Sequence, residues 1–291
     1  MELRAEEFYE FMRKREQIRL NRLAGEPWPW TEDRILQEYS FTNVKREHDR
    51  TSILYREGLY EGHDDAPFEQ VMINAATARF FGRAEFVCHY IGWQETFDVD
   101  FLLSRVQIAK KEGQSVWTNA YMITAGGQSL PKDQIVVRQY LAMLWAKMDV
   151  LYVAFKRAHA WQHLMDAMRR VDGFGGTGFM SKEVLLDTMF THVWPSIGGR
   201  HVPSDWSTWC PAGPGARRGV ARVMGTAYDE RVPEKLALEV MLELYEKRFA
   251  MWPVEWVSLD LHDIQFQLCE FDKYERARLG QGRPKKTYKR R

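Results

Sequence analysis

The sequence predicts an all-α fold, on three observations. Roughly ten segments place apolar residues three and four apart, the spacing that lines one face of a helix. Alternation at period two, the mark of a half-buried strand, is almost absent, and Val116–Thr124 alone has that flavour. Glycine and proline fall between the periodic segments, where helices start and stop. The 291 residues are 45% hydrophobic, enough for a real core. The expected organisation is one helical domain over residues 1–279, with at most one small β-ribbon, followed by a basic tail at 280–291.

Residues 3–24 form the first expected helix, with Phe8, Met12, Ile18 and Leu23 near one stripe and Gly25 ending it. Pro27-Trp28-Pro29-Trp30 follows, and prolines at alternate positions favour an extended segment that presents two indoles. Thr31 is placed as an N-cap, with Glu32 and Asp33 in the first turn of a helix to about Tyr39. A further helix is expected from Phe41-Thr42-Asn43, with Thr42 or Asn43 as cap. Arg46, Asp49 and Arg50 would share its face. Two readings of Arg46 and Asp49 stand here: a solvated ion pair worth little, or an acid held beside an arginine in a pocket.

Gly62–Pro67 is a polar loop. Pro67–Phe81 and Asp98–Glu112 carry apolar stripes (Val71, Ile73, Phe80; Phe101, Leu102, Val106, Ala109). After Gly126-Gly127, Pro131 opens a long helix, Lys132–Ala158. His159 and His163 stand four apart, as two metal ligands on a helix face would. No H-E-x-x-H pattern or nearby Cys or Asp run completes a metal site, so none is expected.

Ala160–Arg170 and Ser181–Phe190 are helices around Val171–Met180, where Gly173, Gly175, Gly176 and Gly178 exclude helix. A glycine hairpin before a helix N-terminus offers backbone N–H groups to a phosphate and suits gripping DNA without reading it. A plain turn between helices fits the same residues. Residues 191–212 form an irregular loop with three tryptophans. In Gly213-Pro214-Gly215-Ala216-Arg217-Arg218-Gly219, two glycines around a proline set a turn and two arginines enter a helix's first turn. Arginine is unfavourable with the dipole there, so either an anion sits with them or they are simply solvated. Pro233–Ala250 is amphipathic. Leu261–Arg278 is the last helix, with Glu270, Asp272 and Lys273 as its polar members. The tail has six basic residues in its last nine; it is expected to be disordered, either touching phosphates or only aiding solubility.

Net charge is +1, so any attraction to nucleic acid is local. Three scattered cysteines do not make a disulfide framework and favour a reducing cytoplasm. No 18-residue apolar run occurs, so no membrane span is expected. The phosphate loop G-x-x-x-x-G-K-[ST] is missing, as are G-x-S-x-G, C-x-x-C and the dinucleotide fingerprint.

Several pieces, in a fixed order, resemble one family. They are Trp28-Pro29-Trp30-Thr31 with Asp33; Phe41-Thr42-Asn43-Val44 with Arg46 and Asp49; Asp172-Gly173-Phe174-Gly175; Gly213 to Gly219; and Leu268-Cys269-Glu270-Phe271-Asp272-Lys273-Tyr274. The chain is similar to the helical family of bacteriophage thymidine hypermodification. Its members are described as the 5-hydroxymethyl-deoxyuridine (5-hmdU) DNA kinase helical domain, α-glutamyl/putrescinyl thymine pyrophosphorylase, or amino acid:DNA transferase. The resemblance implies a fold like that of helix-hairpin-helix DNA glycosylases, with the Gly173–Gly178 hairpin and the Gly213 and Gly215 turn on DNA. It implies a transferase that extrudes a base and displaces the phosphoryl group of 5-phosphomethyl-deoxyuridine with an amine or amino acid such as glycine, glutamate or putrescine. Trp28 and Trp30 would stack on the base, and Thr42, Asn43 and Glu270 would line the site. Arg217 and Arg218 would steady the phosphate. Asp49 or Asp272 would take the ammonium proton, while Arg46 and Lys273 would hold an anion. No cofactor is implied. The implied partners are DNA containing modified thymine, the amine, and other phage DNA-modification enzymes, in the host cytoplasm. A 5-hmdU kinase or its helical partner, a non-catalytic DNA-binding module, and a glycosylase-like enzyme are the alternatives.

Overall fold

The first helix, α1 (Ala5–Leu23), has Glu6 and Glu7 in its first turn and Arg22 in its last, each on the side its dipole favours. It buries Phe8, Phe11, Met12 and Ile18, whereas Leu23 points to solvent. Gly25, at φ 77°, follows its end. The Trp28–Pro29 peptide is cis, so the stretch is not the uniformly extended segment expected. α2 (Arg34–Glu38) is capped by Asp33, which accepts from the Ile35 and Leu36 N–H groups. Thr31 instead accepts from the Asp33 N–H, two residues before the true cap. The computed structural model describes residues 2–118, 123, 128–176, 178–227, 230–284 and 287–288. They form two compact units, one of residues 1–49 with 207–291 and one of residues 50–206.

The second unit begins with α3 (Arg50–Tyr55), which runs into a π-helical turn at Arg56–Tyr60. α4 (Phe68–Phe81) is buried from Val71 to Phe81, as befits a helix apolar all round. α5 (Ala84–Phe86) and its π-helical turn Val87–Ile91 had no clear periodic signal. α6 (Val99–Lys111) is capped by Asp98. The long helix expected over 132–158 is broken. It consists of α7 (Lys132–Ile135), a π-helical turn (Val136–Leu141), α8 (Ala142–Ala146) and α9 (Met148–Ala158). α10 (Trp161–Met168) and α11 (Phe179–Asp187) flank the glycine hairpin. The ribbon is β1 (Ser196–Ile197) against β2 (Arg200–His201), antiparallel, with Gly198 and Gly199 at positive φ in its turn. It lies inside the expected loop; the strand expected at 116–124 falls largely on residues outside those described.

A buried charge cluster ties α4 to α11. Arg79 donates Nε–H to Asp187 Oδ2 at 2.8 Å, reaches Asp187 Oδ1 with a second nitrogen, and donates to Glu183 Oε2 at 3.3 Å. All three side chains are at most 5% exposed.

The first unit resumes with α12 (Pro214–Met224), α13 (Glu234–Met251) and α14 (Leu261–Arg278). Its core joins Phe8, Phe11 and Met12 to Val220, Met241, Leu244, Leu268 and Phe271. The Tyr9 hydroxyl donates to Leu244 O at 2.7 Å. Gly219 lets α12 and α14 touch backbone to backbone. A Cβ there would lie 2.9 Å from Leu268 Cα and closer still to its carbonyl. Gly219→Ala should therefore destabilise this unit by about 1–3 kcal/mol, the usual cost of overpacking, measured by urea denaturation. A loss under a few tenths of a kcal/mol would show the helices can part freely. Among the described residues, no helix is long and apolar enough to cross a membrane.

Candidate active site

Within the first unit, residues 41–45 lie along α14 as irregular chain, followed by a 3-10 turn at Arg46–His48. This replaces the helix expected from Thr42. The cause is local: the Asn43 side chain donates to His48 O at 2.7 Å, and Asp49 Oδ1 accepts the Asn43 N–H at 2.9 Å. Side chains that satisfy the backbone in this way compete with helix.

α14 holds this segment. Buried Gln267 donates its amide to Asn43 O at 3.0 Å and Val44 O at 3.1 Å. Glu270 Oε2 accepts the Thr42 N–H at 3.4 Å, and Glu270 Oε1 accepts from Lys273 Nζ at 2.7 Å. Positions 266, 270 and 273 follow the helical spacing of one face, so Phe266 joins them. The Arg46 guanidinium stands 4.4 Å from the Phe266 ring centre and 3.7 Å from Asp49 Oδ2. Thr42, Asn43, Arg46, Asp49, Glu270 and Lys273 are thus gathered in one place.

Arg15 was not expected there. It comes from α1, donates to Gln267 Oε1, and lies over the Phe11 and Phe41 rings at 5.0 and 5.5 Å. In the sequence it is one arginine among many on a charged helix, and only burial, at 7% exposed, distinguishes it. Burial weakens its hold on its proton, while Glu270 and Asp49 oppose that. Asp49 is raised above the ordinary carboxylate range, chiefly by burial, against the pull of Arg46, the Asn43 N–H and Arg15. For Lys273, burial acts against the charge, but Glu270 and Cys269 together outweigh it and the ammonium is held above its usual value. The site therefore sets three cations against two carboxylates.

A second buried cluster caps α14. Asp260 and Asp263 form a reciprocal capping box, with Lys45 Nζ 2.8 Å from Asp260 Oδ2 and 3.5 Å from Asp263 Oδ2. Burial, opposed by Lys45, and the neighbouring Asp260 push Asp263 up from 3.8 to about 7. An acid raised in the fold contributes stability that is complete below its ordinary value and lost as pH climbs through the folded one. The melting midpoint should therefore fall between pH 5 and 8, by on the order of 5 °C. Asp263→Asn, which keeps an acceptor for the Asp260 N–H, should flatten that decline in circular-dichroism melts. An equally steep decline in the variant would exclude Asp263 as its source.

The other expected residues lie elsewhere. Asp272 is on the opposite face of α14, fully buried. Arg218 Nε is 3.0 Å, Arg276 Nε 3.3 Å and Arg222 Nε 3.5 Å from its carboxylate. Arg217 donates to Ala212 O at 2.8 Å and Glu234 Oε2 at 3.1 Å. Both arginines at the start of α12 thus have protein carboxylates as partners. Gly213 is the N-cap of α12, and Gly215 faces Cys269 Sγ, which occupies the space a Cβ would need. Trp30 donates Nε1–H to Glu26 O at 2.8 Å under the Arg22 guanidinium. Trp28 is half exposed and lines a groove of about 370 Å³ with Arg34, Gln37 and Tyr288. Thr287 bridges to Tyr39 and the Tyr288 N–H donates to Glu38 O at 3.1 Å, so this part of the expected tail is held; 285–286 and 289–291 lie outside the described residues.

In the second unit, Gly173 and Gly178 have positive φ and no room for a side chain. The Tyr140 ring fills one position and Met165 Cε the other. A Cβ added at Gly175 would lie 3.3 Å from Arg169 O, whereas one at Gly176, at φ 67°, would meet open space. Thr177 lies outside the described residues. His159 adopts a left-handed conformation that ends α9. Among the described residues, no group of three His, Cys, Asp or Glu is arranged to hold a metal.

The chain matches the family described as "5-hmdU DNA kinase, helical domain" over residues 3–283. It belongs to that family. A 5-hmdU DNA kinase of Bacillus phage SP10 is 24% identical over 284 residues, covering 87% of this chain and 41% of the kinase. The chain thus spans well under half the length of that relative. No solved structure matches. The motifs that carried the resemblance divide between the two units: the tryptophan segment, Thr42–Asp49 and the Gly213 and Glu270 stretches in the first, the glycine hairpin in the second.

Proposed function

We propose that the protein is a DNA-modifying transferase acting on 5-phosphomethyl-deoxyuridine in DNA, exchanging the phosphoryl group for an amine or amino acid. The observation that carries this reading is the gathering of Arg15, Arg46 and Lys273 with Asp49 and Glu270. Three cations and two carboxylates, partly withdrawn from water, complement a zwitterion arriving beside a phosphate ester. The amine nitrogen attacks the methylene carbon on uracil C5. The C–N bond forms, the C–O bond breaks, and phosphate departs with the bonding pair. Asp49, whose burial favours taking a proton, accepts one from the ammonium. Arg46 and Lys273 hold the anion, the leaving phosphate or the amino-acid carboxylate. The base must leave the stack to reach such a site, at a cost of about a few kcal/mol. Gly176 stands as the open point of a hairpin on the DNA backbone.

A second reading is favoured by one finding. The relative is named a 5-hmdU DNA kinase, this chain covers only 41% of it, and the chain holds no G-x-x-x-x-G-K-[ST] sequence. On that reading the protein is the helical part of a kinase, supplying DNA binding to a phosphoryl-transfer partner.

Both readings face the same test. The protein is incubated with 5-phosphomethyl-deoxyuridine DNA and a panel of amines, and the DNA is digested to nucleosides for mass spectrometry. A nitrogen adduct supports the transferase. No adduct, with ATP-dependent phosphorylation of 5-hmdU DNA once the rest of the kinase is added, replaces it with the second reading.

A further inference from the structure

The second unit carries a groove that the reaction above leaves unused. It lies between α9 and α10, encloses about 850 Å³, and has a mostly aliphatic floor. Val150 and Val153 are 58% and 67% exposed, and Tyr152 is 44% exposed. Side chains of this kind on a helix face are normally covered. Around them stand Lys156, Arg157 and Arg170. Among the described residues none of these three has a carboxylate in ion-pair range; Lys156 lies 5.9 Å from the Tyr152 ring centre. The one acid lining the groove, Asp166, is 3.7 Å from Arg169. On a chain with a net charge of only +1, this is a local surplus of unpaired positive charge beside apolar and aromatic surface.

We propose that the groove binds single-stranded DNA, with phosphates on Lys156, Arg157 and Arg170 and base or sugar faces on Tyr152, Val150 and Val153. This rests on the reading that DNA is the substrate. Charge complementarity selects a polyanion, and the apolar floor selects one with exposed ring faces. A duplex presents only its phosphates to such a groove, whereas an unpaired strand offers both. Strand next to an extruded base is of this kind. The groove also directly precedes the glycine hairpin in the chain, since Arg170 is its last lining residue.

The test uses the full-length protein and a fluorescein-labelled, unmodified oligo-dT of about 15 nucleotides, near the upper end of single-strand site sizes. Binding is followed by anisotropy across a salt series. Lys156→Ala/Arg157→Ala/Arg170→Ala should weaken binding at least tenfold at low salt. It should also reduce the slope of log K against log salt by about 2, three phosphates at roughly 0.7 each. Tyr152→Leu should weaken it at least fivefold with the slope unchanged. A control that removes equal charge elsewhere on the same unit, Arg56→Ala/Lys111→Ala/Arg138→Ala, should bind like wild type. Circular dichroism confirms that each variant is folded. The proposal is overturned by a triple variant that binds like wild type, or by a control that loses as much affinity. It is also overturned if an acidic amphipathic peptide, rather than duplex or single-stranded DNA, is what occupies the groove in competition. Unmodified oligo-dT undergoes no chemistry, so this result is independent of the transferase assay. An adduct with groove variants that bind normally would sink the groove alone, and groove binding without any adduct would sink the reaction alone.

Discussion

Arg79→Met should cost the second unit about 3–5 kcal/mol, because it removes the guanidinium that joins two buried carboxylates. The guanidinium makes a two-pronged contact with Asp187 and a third with Glu183, and both carboxylates are at most 1% exposed. Changing all three together, Arg79→Met with Glu183→Leu and Asp187→Leu, should restore most of the loss, since a packed apolar trio needs no compensating charge. Denaturation in urea reads both effects, with two transitions expected wherever the two units unfold separately. A single variant that loses less than about 1 kcal/mol would mean that water or a neighbour already satisfies the carboxylates.

Asp49→Asn should lower turnover by about 10²–10⁴-fold, the usual worth of a positioned base, with DNA affinity within twofold of wild type. Asparagine keeps an oxygen for the Asn43 N–H, so the loop survives and the loss reports on the proton. The base must be ionised to act, and burial raises its pKa. The rate of the wild type should therefore rise with pH along a limb displaced upward from the ordinary aspartate value of about 4. That limb should vanish in Asp49→Asn. Glu270→Gln should act differently, raising KM for the amine and moving the limb somewhat downward, since the Glu270 charge is among the causes that raise Asp49. Full turnover in Asp49→Asn would remove Asp49 from the chemistry and leave it only the loop to hold.

The helices were legible where a helix has one wet face. Val99–Lys111 and Leu261–Arg278 carry apolar stripes that the chain spells out. The interrupted run from Lys132 to Ala158 was not, because π-helical turns leave apolar spacing almost intact. Short-range polar chemistry misled at Thr42–Asp49, where Asn43 and Asp49 bond to the backbone rather than cap a helix. Even so, Thr42, Asn43, Arg46 and Asp49 do meet Glu270 and Lys273. What a sequence hides is the neighbour. Gly213 and Gly215 read as a phosphate turn because nothing local reveals Cys269 pressing on Gly215. Arg217 and Arg218 read as anion ligands because Glu234 and Asp272 are 17 and 54 positions away. Arg15 was missed for the same reason, and so was Arg79, whose acids stand 104 and 108 positions on.

The order of segments in the two units has a consequence for how the protein is born. Residues 50–206 are contiguous and can close as soon as they leave the ribosome. The first unit cannot, because Phe8 and Phe11 wait for Phe271. At translation speeds of about 5–20 residues per second, α1 spends roughly 10–50 seconds with its apolar face uncovered. During that interval the nascent chain offers chaperones an amphipathic helix, and the candidate active site does not exist until α14 has been made.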